Sequence, residues 1–530
     1  MATPLLTLDT TAEVLSWLRQ QGVAAITVDN RQVPALAEQG AGFVAWPGAA
    51  RDGRSFVAQA LLDGARACLV EADGAEAFAF ADARVAAVRG LKALSAEIAH
   101  GFYGEPSAQL QVVAVTGTNG KTSTSWWTAQ ALSALGVGCG VIGTLGVGQA
   151  GSAGVMPTGL TTPDPLTLHA TFRRFVDHGL KAAAIEASSI GLEELRLHAT
   201  HIAVAQFTNF TQDHLDYHGS MASYWLSKRA LFDWPGLKAA VLNLDDPMGH
   251  ALQDHALARG LAVWSYGLNE AVRLQAQSVS HQAQGLDFDV VERNESLSSV
   301  VDQAQVVAPV IGAFNVSNLL AVIGALRALG VPLAQAAAAC CGLQGVPGRM
   351  EVVPATAGLA APLAVVDYAH TPDALLKALT ALRPVAQARS GRLWCVFGCG
   401  GNRDPLKRPM MGAIADQDAD HVVLTSDNPR DESPAFILSQ ILAGVPGRDQ
   451  IDVIEDRREA IAYALRDAAP QDVVLIAGKG HEAYQEVAGL RTHFSDVEEA
   501  AAALAQRVAA TPLSPTRANQ AGSEPKDGAA

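Results

Sequence analysis

The stretch Gln111 to Ser123, QVVAVTGTNGKTS, leaves few options for the chain around it. Gln111 to Thr116 is β-branched and apolar enough for a buried parallel strand. Gly117, Thr118, Asn119 and Gly120 then break it, and a helical pattern begins at Lys121. A strand, a glycine-rich turn and a helix start in that order bring backbone N–H groups and the positive end of a helix dipole to one point, which suits phosphate oxygens. Lys121 can reach β- and γ-phosphates, and the Thr122 hydroxyl beside Ser123 can ligate Mg²⁺. Val115 stands where the usual G-x-x-x-x-G-K-[ST] pattern has its first glycine, and a glycine-rich turn with a surface lysine is the plain alternative. A bound nucleoside triphosphate is the expectation.

At 530 residues the chain is too long for one core, so several domains are expected. Hydrophobic residues at 49% against 17% charged describe a well-packed globular chain. A net charge of −15 speaks against general nucleic-acid binding, which needs a basic surface. The start, MATPLLTLDTTAEVL, lacks a basic segment followed by an apolar run. No apolar stretch reaches the roughly 18 residues that span a bilayer. A cytoplasmic protein without a membrane partner is expected. Six cysteines show no C-x-x-C spacing, so neither a disulfide framework nor a zinc site is indicated.

Residues 1–105 read as a small α/β domain, with strands at Ala24 to Val28, Gly42 to Ala45, Ala67 to Glu71 and Ala86 to Val88. Residues 106–345 repeat strand and helix, and their polar residues fall just after strands. Thr161 and Thr162 follow a glycine-rich segment. Glu186 ends Lys181 to Ile185 and precedes Ser188. Thr208, Asn209, Asp213 and His214 follow Ile202 to Phe207. Ligands of open parallel sheets bind at such ends, so these loops can converge on the phosphate loop. Glu186 is a candidate Mg²⁺ carboxylate opposite Thr122, with a structural carboxylate as the alternative. A helix over Ala222 to Trp234 carries Lys228. Asn315 and Asn318, three apart in GAFNVSN, share a helix face and can hydrogen-bond a base or cap the helix.

Residues 346–510 read as a second parallel α/β domain, with strands at Leu363 to Val366, Leu393 to Phe397, His421 to Thr425 and Val473 to Ala477. Each ends in a polar cluster: Asp367, Tyr368 and His370; Gly398 to Asp404; Ser426 to Arg430; Gly478 to Glu482. Such clusters suit a charged, zwitterionic ligand, with Arg403 and Arg430 for carboxylates and Glu482 for an ammonium. Cys399, in the second cluster, reads as a packing residue. Residues 511–530 read as a polar, disordered tail.

Over nearly the whole chain these segments resemble the Mur ligases, ATP-dependent amino-acid ligases of peptidoglycan precursor synthesis. TGTNGKTS, FTN followed by QDHLDYHG, GAFNVSN, VPGRME, DYAHTPDAL, FGCGGNRDPLKRPMM, DNPR and GKGHE occur in family order. The resemblance implies three domains: a P-loop parallel-sheet ATPase domain between a small N-terminal UDP-binding α/β domain and a C-terminal Rossmann-like domain. The DNPR segment is similar to that of members adding meso-diaminopimelate; in lysine-adding relatives its Arg is typically absent. A cation at Arg430 fits that difference, because diaminopimelate has a second carboxylate and lysine does not.

The resemblance also implies roles. ATP would be bound by Gly117, Thr118, Asn119, Gly120, Lys121, Thr122, Ser123, Asn315, Asn318 and Arg349. Mg²⁺ would be held by Thr122, Glu186, His214 and Lys228, the last as a carbamate, and Lys121, Glu186, His214 and Lys228 would be catalytic. Asn30, Thr161, Thr162, Ser188 and Arg196 would contact the UDP-muramoyl-peptide. Arg403, Asp427, Asn428, Arg430, Gly478 and Glu482 would contact diaminopimelate. A monomer acting on small molecules through an acyl phosphate on the D-glutamyl γ-carboxylate is the implied enzyme. The chain departs from the family pattern at Asn30, Ile190, Gln212 and Asn402.

Overall fold

The computed structural model describes residues 5–48, 51–151, 154–269, 271–282, 285–355, 360–445 and 451–510; the tail expected from 511 onward lies outside them. The chain divides into two units, Met1–Met350 and Glu351–Ala530. Both are α/β.

The first unit opens with a five-stranded parallel sheet: β1 (Leu6–Leu8), β2 (Ala25–Thr27), β3 (Ala41–Ala45), β4 (Ala67–Glu71) and β5 (Val85–Val88), in the order β1-β5-β4-β3-β2. β3 and β5 are buried throughout, because a parallel sheet covered on both faces needs apolar runs rather than alternation.

A ten-stranded sheet follows: β6 (Gln111–Thr116), β7 (Cys139–Gly143), β8 (Gly146–Gly148), β9 (Ala182–Glu186), β10 (Val204–Phe207), β11 (Ala239–Asn243), β12 (Ala262–Gly267), β13 (Leu274–Gln282), β14 (Gly285–Arg293) and β15 (Val300–Ala308). Their order is β15-β14-β13-β12-β11-β10-β6-β9-β7-β8. The centre is parallel as expected, but β8 runs antiparallel to β7, and β13, β14 and β15 form an antiparallel extension. From Gly285 to Val290, β14 alternates between half-buried and buried residues, the signature of a sheet with one wet face. Helices Lys121–Ala134, Phe314–Ala328 and Leu333–Cys341 share one core with the sheet, through Trp127, Leu320 and Ala337; Phe172 and Leu252, from Pro165–Asp177 and Pro247–Ala258, lie in the other. Gly140 on β7 lies against the Phe175 ring, leaving no room for a Cβ.

After β6 the chain moves to one side of it for β7 and β9, then to the other for β10. The crevice of an open sheet therefore lies at the carboxyl ends of β6, β9 and β10. Register completes the placement, since Val115 lies opposite Glu186 and Thr116 opposite Phe207. The helix expected over Ala222 to Trp234 is Met221–Arg229 followed by a 3₁₀ turn, Ala230–Asp233. Pro235 disfavours helical backbone at the residue before it, and Trp234 is extended.

The second unit is built on β16 (Glu351–Val353), β17 (Leu363–Asp367), β18 (Leu393–Phe397), β19 (His421–Leu424), β20 (Ile451–Val453) and β21 (Val473–Ala477), in the order β16-β17-β21-β18-β19-β20. All neighbours are parallel except β16 with β17. β21 lies between β17 and β18, and Phe397 pairs with Leu424 and with Ala477, so the four polar clusters start level. A separate hairpin, β22 (Tyr484–Val487) and β23 (Leu490–His493), follows.

Candidate active site

The phosphate loop has the backbone that its glycines permit. Gly117 has φ 147° and Gly120 φ 85°, values that side-chain-bearing residues rarely adopt. A Cβ on Gly117 would strike the Thr208 hydroxyl, and one on Gly120 would lie 2.5 Å from Asn318 Oδ1. The loop is cross-braced from β10: Thr208 Oγ1 donates to Asn119 O at 2.6 Å, and the Asn119 N–H donates to Asn209 Oδ1 at 2.9 Å. Tyr224 OH lies 3.2 Å from Thr118 Oγ1.

Lys121 curls back over this loop and donates from Nζ to Gly117 O (2.9 Å) and Thr118 O (2.8 Å). Lys228, 1% exposed, donates to the same Gly117 carbonyl at 2.7 Å, with its Nζ 4.4 Å from the centre of the Tyr224 ring. Burial lowers both amines from the ordinary lysine value. For Lys228 the neighbouring Lys121 adds to the drop, which takes it well below that value. Lowering an amine in this way favours its neutral, nucleophilic form, the form that adds CO₂ to give a carbamate.

Glu186, 1% exposed, ends β9 and is held from three sides. The Thr144 N–H donates to Oε1 at 2.8 Å, while the Thr144 and Thr122 hydroxyls donate to Oε2 at 3.2 and 3.1 Å. Thr144 was not singled out from sequence; it follows β7, the strand paired with β9, and only that pairing reveals it. Thr122 Oγ1 also accepts from Arg349 Nη2 at 3.3 Å. The Glu186 carboxylate and Thr122 hydroxyl are hard oxygen donors of the kind Mg²⁺ prefers, so this part of the donor set fits that ion. His214 fits less closely. It is 46% exposed on its side chain, sits in the left-handed region at φ 51°, and has its ring 3.5 Å from Asp213 and 6.2 Å from Tyr224. Desolvation holds its imidazole below the usual value. Among the described residues no three His, Cys, Asp or Glu side chains group as a metal site.

The residues expected at the peptide substrate adjoin this carboxylate. Thr161 Oγ1 lies 3.1 Å from Thr144 Oγ1. Thr162 Oγ1 donates to Glu186 O at 2.7 Å and lies 2.9 Å from Ser188 Oγ, and Arg196 Nη1 donates to Thr162 O at 3.0 Å. Asn30 starts a short 3₁₀ turn, Asn30–Gln32, in the N-terminal sheet region. On the other flank Asn318 Nδ2 donates to Asn315 Oδ1 at 2.8 Å and Asn315 Nδ2 to Ile311 O at 2.7 Å, so the pair shares one helix face beside the phosphate loop.

The second unit gathers its own cluster. Asn428, 2% exposed, donates from Nδ2 to Glu482 Oε2 at 2.8 Å, while its Oδ1 accepts from Lys479 Nζ and the Glu486 N–H, both at 3.0 Å. Burial raises the Glu482 carboxyl, against the pull of Lys479. A Cβ on Gly478, at φ 119°, would lie 2.5 Å from Asp427 Oδ2. Arg457, buried against Asp496 at 2.7 Å, donates to Ser426 O and Ala477 O and so ties the ends of β19 and β21 together. Arg430 Nη1 donates to Gly401 O at 2.8 Å, whereas Arg403 is exposed. The Cys399 thiol is buried against Met411 and pushed up to about 12 by desolvation, which leaves it inert.

A phosphate loop and a charged strand-end cluster in separate α/β units define a nucleotide-dependent ligase class, and sequence comparison agrees. The chain matches the Mur ligase middle domain over residues 115–326 and the Mur ligase glutamate ligase domain over residues 348–480. It belongs to the Mur ligase family. A relative from Acidovorax sp. (strain JS42), named UDP-N-acetylmuramoyl-L-alanyl-D-glutamate--2,6-diaminopimelate ligase, is 55% identical over 94% of this chain and 98% of its own. One of the same name from Janthinobacterium sp. (strain Marseille) is 46% identical over 95% and 99%. A solved structure of a ligase with that name is 34% identical, with a TM-score of 0.63 over 92% of this chain and 95% of that one.

Proposed function

We propose that this chain joins meso-diaminopimelate to the D-glutamyl γ-carboxylate of UDP-N-acetylmuramoyl-L-alanyl-D-glutamate, with ATP converted to ADP and phosphate. The observation that carries the reading is the second unit's cluster after level strand ends: an Arg430 cation with the Glu482 and Asp427 carboxylates suits a zwitterion with a second acid group. We assign uridine binding to residues 1–105, ATP chemistry to 106–345 and amino-acid binding to 346–510.

In this reading the γ-carboxylate attacks the γ-phosphorus of ATP and ADP leaves, giving an acyl phosphate. The free amine of diaminopimelate then attacks the activated carbonyl and phosphate departs. Lys121 swings from its own loop carbonyls onto the transferred phosphoryl group, Asn315 and Asn318 bear on the adenine side, and Thr161, Thr162, Ser188 and Arg196 orient the peptide acid. Mg²⁺, held by Thr122 and Glu186 with His214 and carbamylated Lys228, would supply positive charge to the phosphoryl oxygens. All six cysteines are free thiols, and no described helix is long and apolar enough to cross a membrane. We assign the chain to the cytoplasm as a monomer; the free thiols agree with a reducing compartment.

Phosphate release that requires both the UDP-muramoyl-dipeptide and diaminopimelate tests the reading; release independent of diaminopimelate overturns it. Arg430→Ala is expected to raise the KM for diaminopimelate about 100-fold, because a charge-assisted contact to the second carboxylate is lost. The KM for ATP should stay unchanged. Undiminished discrimination against L-lysine would remove Arg430 from the pocket.

A further inference from the structure

Arg430 has φ 50°, a left-handed backbone that a residue bearing a side chain adopts only when its surroundings impose it. Here the β22–β23 hairpin imposes it. The Arg430 N–H donates to Glu486 O at 3.0 Å, and Arg430 O accepts from the Ala488 N–H at 2.7 Å, so Arg430 pairs as a lone parallel-strand residue opposite Val487. The same hairpin holds the residues before it: Gln485 Nε2 donates to Asp427 O at 2.8 Å and the Glu486 N–H to Asn428 Oδ1 at 3.0 Å. The guanidinium is then aimed along the loop at Gly401 O. β23 is exposed at every position, so its burial contributes little to the core. Its two-residue turn, Ala488–Gly489, has φ 49° and 77°, the pattern of a type I′ turn.

We propose that this hairpin is the selectivity element of the amino-acid pocket. Gln485 is a positioning residue: it fixes the Asp427 carbonyl and, with the Glu486 and Ala488 backbone, sets the direction from which the Arg430 guanidinium meets the distal carboxylate of diaminopimelate. The inference rests on the reading given under Proposed function. It explains why a hairpin half-buried on β22 and exposed on β23 is bonded to each of Asp427, Asn428 and Arg430.

Two variants test it. Gln485→Met keeps length and removes the donor. Gly489→Val acts at a distance, since a Cβ there meets nothing within 4 Å and only the left-handed φ is penalised. Each is expected to raise the KM for diaminopimelate about tenfold, with kcat within about threefold of wild type and the KM values for ATP and UDP-muramoyl-dipeptide unchanged. Preference over L-lysine should fall by the same factor. In an Arg430→Ala background neither variant should weaken diaminopimelate further, because the cation that the hairpin directs is gone. Equal effects in both backgrounds, a rise in all three KM values, or wild-type selectivity in both variants would overturn the hairpin's role. A wild-type enzyme that released phosphate without regard to diaminopimelate would overturn the parent reading as well, so the two failures are distinct.

Discussion

Lys228→Ala is expected to lower turnover by about 10³-fold, the scale on which loss of a charged group at a phosphoryl-transfer centre acts. The argument begins from burial. Lys228 Nζ donates to the Gly117 carbonyl at 2.7 Å, shares that carbonyl with Lys121, and has no carboxylate in ion-pair contact among the described residues. Burial in a dry site, and then the second cation on the same oxygen, lower the Lys228 amine well below its ordinary value, which favours the neutral form that reacts with CO₂. A carbamate there would be an anion beside Lys121, which would turn repulsion into attraction. Short carboxylates should therefore restore part of the activity of Lys228→Ala, whereas a packing role would show no such rescue. The stability readout runs opposite. Lys121 and Lys228 are both held below the unfolded lysine value of about 10.4, so between their lowered folded values and that pH the unfolded chain binds more protons and stability rises with pH. In CO₂-depleted buffer at mildly acidic pH, Lys228→Met should raise Tm while abolishing turnover, and should flatten the dependence of Tm on pH. A variant with wild-type turnover would remove the carbamate from the mechanism.

The parts of this site that the sequence made legible are those where backbone chemistry is written in residue type. Gly117 and Gly120 announce positive φ, and unbroken apolar runs announce β6, β18 and β21, whose observed limits are the expected ones. Strand ends in an open parallel sheet then place Glu186, Thr208 and the Asp427 segment without further information. What stayed hidden depends on pairing across the chain. Thr144 is one hydroxyl after a short strand until β7 is known to lie beside β9. The β13–β15 extension hid because its strands are polar on one face and resemble loop; β15 is mostly exposed. The hairpin at Tyr484–His493 hid for the same reason. His214 and Arg430 take left-handed backbone without being glycine, so residue type carries no sign of it. Asn428 reads as a ligand contact, and the bonds its amide makes to Lys479, Glu486 and Glu482 across the second unit are of the kind that only pairing reveals.

Glu186→Gln is expected to lower kcat by about 10²–10³-fold and to raise the Mg²⁺ concentration needed for half-maximal rate, with little change in Tm. The substitution keeps volume and shape, so the question is whether the site can hydrogen-bond an amide. The Thr144 N–H is fixed and must find an acceptor, so the amide oxygen takes the Oε1 position. The amide nitrogen then faces the Thr122 and Thr144 hydroxyls, which can rotate from donating to accepting. No buried polar group is stranded, and the fold should tolerate the change. What is lost is the negative charge beside the phosphate-loop threonine, which Mg²⁺ held by Thr122 and Glu186 would require and a merely structural role would not. Glu186→Asp separates the two cases further: it keeps the charge but draws it back by one methylene from Thr144, so activity should fall less than in Glu186→Gln while Tm falls more. If Glu186→Gln kept wild-type kcat and Mg²⁺ dependence, the three hydrogen bonds to this side chain would be its whole purpose, and the metal would have to be held without it.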